Sequence, residues 1–573
     1  MLARLSFAFL SLLLLSCGRR PPPPHLWLQL LPPDPVVPAN AVLEISLRHN
    51  GDYANKFLDV SIDAVLTSPE GIHHRVRGFF FQHDVWKIRW RPSAPGRWTY
   101  TYRMTANTGF HAAGQGAFDC LPPHASTQDQ APLVRNPHNP FRWTLTGGRP
   151  YFPLGLQDCV GPGRLSPVDG GARSEPGRSI TPDQYLALYA GAGFNLFRFS
   201  QRNCSYSLYD DLDHYREAES LATDELLSLA RKHGLRVMFG FFGYHGQWAQ
   251  GNRLQRGLTR LAAVLRPQEA LLDPDDHVTT AKEKRFLEYC IARWGVYADF
   301  WELLNERKAS DQWTTLMASH VRSADPDRKP VATSWEKPEL TAIDINAPHW
   351  YVGEHELQSD LRVRDQAAKW KLHGKPVIVG EHGNSGMNWD PRSALRMRIR
   401  IWTALFQDIG LVFWNTSWSK AGMHGGRFSP GEASNIYLGP EERGYTRIFR
   451  DFCSRLDAAV AMSPLDVSPR SQIRAYGLLS ERVAAAYLHH STSHSAAVEG
   501  ATITLTLPPS RPGDEPLLGE WIDPATGAVL SRLPLTHGLR TLAVPPFAVD
   551  LAFVAAPAPR RGGSSSPAST NTL

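Results

Sequence analysis

Cysteine is scarce in this 573-residue sequence. There are six, at Cys17, Cys120, Cys159, Cys204, Cys290 and Cys453, and no two stand in a CxxC spacing. That argues against zinc-ribbon and thioredoxin-like motifs. With Cys17 set aside, five remain, an odd number that spacing alone does not pair. Blocks of one charge are also missing. Lys and Arg number 61 against 55 Asp and Glu, a net +6, and they are scattered, so nothing points to nucleic acid. No internal repeat is present, which removes solenoids and propellers. What remains is ordinary globular composition, 42% hydrophobic and 20% charged. The length fits three or four domains, or one large domain with satellites.

The first residues read as an export address. Arg4 supplies the positive start, and the apolar run Leu5–Leu15 is too short to span a bilayer. Leu14-Leu15-Ser16-Cys17 resembles the bacterial lipobox, which implies lipidation of Cys17 and a mature chain starting there. A plain signal peptide or an anchor helix is the alternative. The expectation is an exported, membrane-anchored lipoprotein, periplasmic or at the cell surface, with a Pro-rich tether over 18–35.

Residues 36–122 have the rhythm of a β-sandwich. Ala41–Arg48, Leu58–Leu66, Arg75–Phe81, Val85–Arg91 and Gly96–Met104 are short, alternating and separated by turn residues. Trp86, Trp90 and Trp98 are the expected core. Over 123–464 the pattern becomes strand, helix, strand, helix. Strands are expected at Tyr151–Leu156, Phe194–Ser200, Leu235–Phe242, Ala298–Leu304, Lys329–Ser334, Ile343–His349, Pro376–Gly380 and Leu411–Trp414. Thr181-Pro182-Asp183 caps the first helix, and Thr223-Asp224-Glu225 reads as the start of another. Eight such units make an α/β fold, a (β/α)8 TIM barrel; a doubly wound open sheet is the alternative. Alternating strands return over 465–557, read as a second sandwich. A Ser- and Thr-rich tail, 558–573, is expected to be disordered.

In a TIM barrel, reactive groups sit where strands end. Strand two ends in Arg198-Phe199-Ser200, and strand three runs on to His245 and Trp248. The fourth ends in Trp301-Glu302-Leu303-Leu304-Asn305-Glu306, the sixth in His349-Trp350-Tyr351, the seventh in Gly380-Glu381 and the eighth in Trp414. Ionisable groups at the exits of apolar strands are costly to bury, so their recurrence argues for a site. Glu306 and Glu381 stand three strands apart in a ring of eight and can face one another across the mouth.

Here the pattern resembles the clan A glycoside hydrolases, the family 5-like cellulases in particular. Trp301–Glu306 is similar to the clan's strand-four motif, in which Asn precedes the acid/base Glu. Pro376–Glu381 resembles the strand-seven motif that ends in the nucleophile. His349-x-Tyr351, Arg198 and Trp414 match its strand-six, strand-two and strand-eight residues. The resemblance covers the whole barrel and implies retaining hydrolysis, with Glu306 as acid/base and Glu381 as nucleophile. It further implies that Arg198 and Tyr351 hold Glu381 ionised, that Asn305 bonds a sugar 2-hydroxyl, and that Trp414 floors the subsite. His349 and His245 are candidate sugar or orienting ligands, each with a plain structural role as the alternative. Trp248, Trp335, Trp389 and Trp418 are candidate stacking platforms or core. Glu302 reads as structural, and Glu354 and Glu356 as solvated. Arg307 departs from the Pro usual in family 5, and the loop over 160–179 has no equivalent there.

Trp86–Pro92 and Gly96–Trp98 are similar to an Ig-like module of unknown function found ahead of such barrels. Gly519–Pro524 with Thr526-Gly527 looks like the small sandwich that follows them in apiosidase-like hydrolases, which favours plant-type β-glycans. No cofactor or metal is expected: the His-x-His of amidohydrolase barrels is absent and metal-ligand spacings are lacking. A monomer with a carbohydrate substrate is expected. The rival readings are a non-catalytic carbohydrate-binding lipoprotein on the same barrel and a metal-dependent barrel hydrolase.

Overall fold

The computed structural model describes residues 26–124, 127, 130–157, 181–200, 208–242, 272–306, 308–334, 336–353, 355–383, 392–413, 438, 440–509 and 516–557. Among them a parallel sheet of eight positions closes into a barrel. Its strands, in order, are Leu154–Gln157, Leu196–Ser200, Arg236–Phe242, Phe300–Leu304, Val331–Thr333, the split pair Ile345–Asn346 and His349–Tyr351, Val377–Gly383 and Ile409–Phe413. Strand one pairs with strand eight, and both pieces of strand six reach strand seven, which closes the ring. Pro348 sits in the break of strand six, where it has no N–H for the ladder. Strands three, four, seven and eight are buried along their whole length, as a barrel wrapped by helices requires.

Seven α-helices surround the described barrel. Thr181 and Gln184 form a reciprocal capping box on the first, and Gly193 beyond its end takes a φ of +97°. Glycine is needed there twice over, because a Cβ would also stand 2.8 Å from the Thr446 carbonyl. Two expectations require correction. Between strands five and six the described chain makes turns and no helix. The helix assigned to Thr223 begins at Glu217 instead. Asp224 lies inside it, 8% exposed, bonded to Arg89 and Arg293, so a tertiary ion pair uses the residue that looked like a cap. Observed strand ends differ from those expected by a few residues. Pro150–Tyr151 leaves the barrel to join Leu133–Arg135 and Trp143–Leu145 in a small antiparallel sheet.

The barrel interior is stacked in layers. Leu196, Met238, Phe300, Ala332, Ile345, Ile378 and Val412, one from each of seven strands, form a cluster with Trp143. Side chains alternate along a strand, so the residue two further on points the same way. Arg198 thus follows Leu196, and Glu302 follows Phe300, towards the C-terminal mouth. Strand seven breaks this rule. Ile378 faces the interior and Val379 the outer core, so strict alternation would turn Glu381 outward. The register with strand eight shifts between Val379 and His382. A shift of this kind re-aims a side chain, and Glu381 reaches the mouth.

Antiparallel-rich sheets flank the barrel on either side in sequence. The N-terminal pair, of four and five strands, encloses one core that includes Trp86, Trp90 and Trp98. Leu28–Leu31 is an edge strand of this region, paired with Ser46–His49, so the stretch read as tether already belongs to the fold there. The C-terminal pair has six and three strands. Cys120, Cys290 and Cys453 are free and buried. Cys17, Cys159, Cys204 and the tail lie outside the described residues. Among those described, no helix is long and apolar enough to cross a membrane.

Candidate active site

Arg198 is the hub of the mouth. It is fully buried, and all three of its nitrogens donate, to Gln157, Glu302, Asn305 and Glu381. Nε reaches Glu302 Oε2 at 2.9 Å, and Nη2 reaches the same oxygen at 2.6 Å and Asn305 Oδ1 at 2.8 Å. Nη1 donates to Glu381 Oε1 at 2.8 Å and to Gln157 Oε1. Strands one, four and seven converge on one guanidinium from strand two, through residues as far apart in sequence as Gln157 and Glu381. The bond to Arg198 also decides the Asn305 amide, since only its oxygen can accept, and its NH2 is left as a donor.

Glu381 is 5% exposed and ringed by donors. Oε1 takes Arg198. Oε2 takes the Tyr351 hydroxyl and lies 3.4 Å from His349 Nδ1. Burial alone would raise this carboxyl. Charge from His349 and Arg198, with hydrogen bonds from Tyr351 and Arg198, outweighs burial and holds it below its ordinary 4.5. The same contact pushes the Tyr351 phenol well up, chiefly through burial and then through the Glu381 charge.

Glu306 has a different setting. Its side chain is 37% exposed, and its backbone sits at φ +50°, a strained value for a residue with a Cβ. Ser334, at the end of strand five, holds the turn: it accepts from the Glu306 N–H at 2.7 Å and donates to the Leu304 carbonyl at 2.8 Å. The single described partner of the Glu306 carboxylate is His349, whose Nδ1 lies 2.9 Å from Oε1. One oxygen of Glu306, one of Glu381 and a His349 ring nitrogen all lie within 4.8 Å of one another. Three such atoms have the spacing of a cation site. The Glu381 carboxylate, however, is already taken up by a guanidinium, a phenol and an imidazole, and a cation would have to displace them.

Of the residues expected at the site, Arg198, Asn305, Glu306, His349, Tyr351 and Glu381 come together. His245, Trp414, Trp248, Trp335, Trp389, Trp418, Glu354 and Arg307 lie outside the described residues. Glu302 is fully buried on Arg198, and Glu356, read as solvated, is 2% exposed beside Arg392 and His355. Two residues went unnoticed in the sequence, Gln157 and Ser334. Both carry the positional signal that served elsewhere: a polar side chain at the exit of an apolar strand.

Residues 37–105 match a family described as "Domain of unknown function (DUF5060)". No curated protein matches the chain. Among solved structures, a protein from Bacteroides vulgatus ATCC 8482 put forward as a glycoside hydrolase superposes with a TM-score of 0.60. The match has 15% identity and covers 91% of this chain and 100% of that one. The two share the closed eight-stranded TIM-barrel fold. A family 39 glycoside hydrolase from Bacteroides cellulosilyticus WH2 is more distant, at TM-score 0.42 and 12% identity over 92% of this chain and 100% of that one. A family 5 mannosidase from Rhizomucor miehei has a TM-score of 0.40 and 11% identity, covering 57% of this chain and 97% of that one.

Proposed function

We propose that this protein is a retaining glycoside hydrolase that cleaves a glycosidic bond by double displacement. Glu381 attacks the anomeric carbon while Glu306 protonates the leaving oxygen. Glu306 then takes a proton from the water that releases the glycosyl-enzyme. The observation that carries this reading is the pair of carboxylate oxygens within 4.8 Å. Retaining enzymes hold their carboxyls about 5–5.5 Å apart, whereas inverting enzymes leave room for a water at about 6.5–9.5 Å. The unequal surroundings support the division of labour. A nucleophile must stay ionised, and Glu381 is surrounded by donors. An acid/base must meet both leaving group and water, and Glu306 is the open one.

Asn305 is proposed to present its NH2 to the 2-hydroxyl, a contact that strengthens at the transition state. A plant-type β-glycan is the favoured substrate, on the resemblance of the flanking modules. Export and anchoring through Cys17 belong to the same proposal, as does a monomeric state. NMR of the first product should show the starting anomer, and a 2-fluoro sugar should trap an ester on Glu381. An inverted product, or a label on another residue, removes the mechanism. Dialysis against a chelator should leave turnover unchanged; a loss restored by a divalent ion would favour the metal-dependent rival.

A further inference from the structure

Two carboxylates lean on Arg198, and only one of them has a task under the mechanism above. Glu381 faces the mouth. Glu302 is one layer deeper on strand four, fully buried, with Oε2 on Nε and Nη2 of Arg198. Its other oxygen, Oε1, is buried and has no hydrogen-bond partner among the described residues. An anionic oxygen in that position is costly, far more so than a neutral one. Charge bookkeeping around the hub gives the same answer. If both carboxylates were ionised they would compete for the one guanidinium that touches both, and the Glu302 charge would offset part of what Arg198 gives Glu381.

We propose that Glu302 is held as a neutral carboxylic acid, its proton on Oε1, so that the positive charge of Arg198 is committed to Glu381. This rests on Glu381 being the nucleophile. Glu302 is then a positioning residue: its Oε2 accepts from Arg198 and fixes the plane of the guanidinium without competing for its charge. The ionisable groups facing it are Arg198 from strand two, Glu381 from strand seven and His349 from strand six. Burial is the largest influence and raises the Glu302 carboxyl. The Glu381 charge adds to that, and the opposing pull of Arg198 and His349 does not overcome it.

Infrared difference spectroscopy of the full-length protein tests this without turnover, so its outcome is independent of whether the hydrolase reading holds. The wild-type minus Glu302→Gln spectrum at neutral pH should contain the carbonyl stretch of one protonated carboxylic acid. Glu306→Gln must retain that band, which separates Glu302 from the acid/base. Absence of the band, or its loss in Glu306→Gln but not in Glu302→Gln, overturns the proposal. The acidic limb of kcat/KM supplies a second readout. Glutamine mimics a neutral acid, so the limb should stay in place in Glu302→Gln even though kcat falls up to about tenfold. A downward move of about one pH unit would mean that an anion near Glu381 had been removed, and would refute the neutral state. Should Glu302→Gln fail to fold, 13C-glutamate labelling of wild type and Glu306→Gln still tests for the band, which must be present in both.

Discussion

The exits of strands four and seven each deliver one carboxylate to the same small volume, and they do so by opposite means. Strand seven shifts register to bring in Glu381, where Arg198 from strand two and His349 and Tyr351 from strand six surround it. Strand four ends in a strained turn that leaves Glu306 with one described partner and over a third of its side chain exposed. Under the proposed mechanism the carboxylate whose charge must persist is the one held by Arg198 and Tyr351. The one that must gain and lose a proton is the more accessible of the two. Identical side chains acquire different chemistry from their surroundings alone.

The largest effect should come from strand seven. Glu381→Gln should lower kcat by roughly three orders of magnitude or more, checked by single-turnover kinetics on an aryl glycoside with folding verified by circular dichroism. Wild-type turnover would erase the contrast. Glu306→Gln should cost roughly 10²–10⁴-fold on a substrate with a poor leaving group, and clearly less when the leaving group needs no proton. An equal loss on both substrates would deny Glu306 its role as acid.

Tyr351→Phe sharpens the comparison. The phenol bonds the charged form of Glu381, so losing it should raise that carboxyl and move the acidic limb of kcat/KM to higher pH. About a tenfold loss of kcat/KM should accompany the move. A limb that stays or falls would show that Tyr351 does not stabilise the anion. Ser334→Ala probes strand four in the same way. It leaves the Glu306 N–H and Leu304 C=O without their bridge and should cost about 1–3 kcal/mol in urea unfolding, with a several-fold fall in kcat.

The smallest functional effect, and a pH-dependent one, belongs at the foot of strand four. Asp299 is buried on Arg231 and Arg236. Burial opposes ionisation, yet those arginines hold the carboxyl down at about 2. Its folded pKa lies below its unfolded one. The contribution is therefore present above pH about 4 and lost as pH falls towards 2, worth roughly 2 kcal/mol. Asp299→Asn should destabilise the protein at pH 7 and hardly at all at pH 2, with kcat at 25 °C little changed. Equal destabilisation at both values would contradict the linkage.

Much of this architecture was legible because it repeats. Apolar strands at regular intervals announce the barrel, and the strand-end rule finds Arg198, Asn305, Glu306, Tyr351 and Glu381 without reference to contacts. What was not legible depends on distant partners. Asp224 looks like a helix cap until Arg89, 135 residues away, claims it. Leu28–Leu31 resembles a linker until it pairs with Ser46–His49. The register shift that presents Glu381 is a relation between two strands and has no local signature. Gln157 escaped notice because a lone amide carries no motif; its meaning lies in the guanidinium it meets.

The two flanking regions are attached in unequal ways. From the N-terminal sheets only Phe79 joins the fully buried part of the barrel's main apolar cluster, whereas the C-terminal sheets contribute seven residues, among them Tyr476, Tyr487 and Val554. The helix that follows strand seven, Ser393–Phe406, stacks Trp402 on Tyr487 and buries Arg398 against Asp550. As the chain leaves the ribosome, that arginine has no counter-charge until some 150 residues later. The seventh barrel unit, which carries Glu381, therefore completes its packing only once the chain has been made as far as Asp550, and cutting away the C-terminal sheets would be an amputation of the barrel itself.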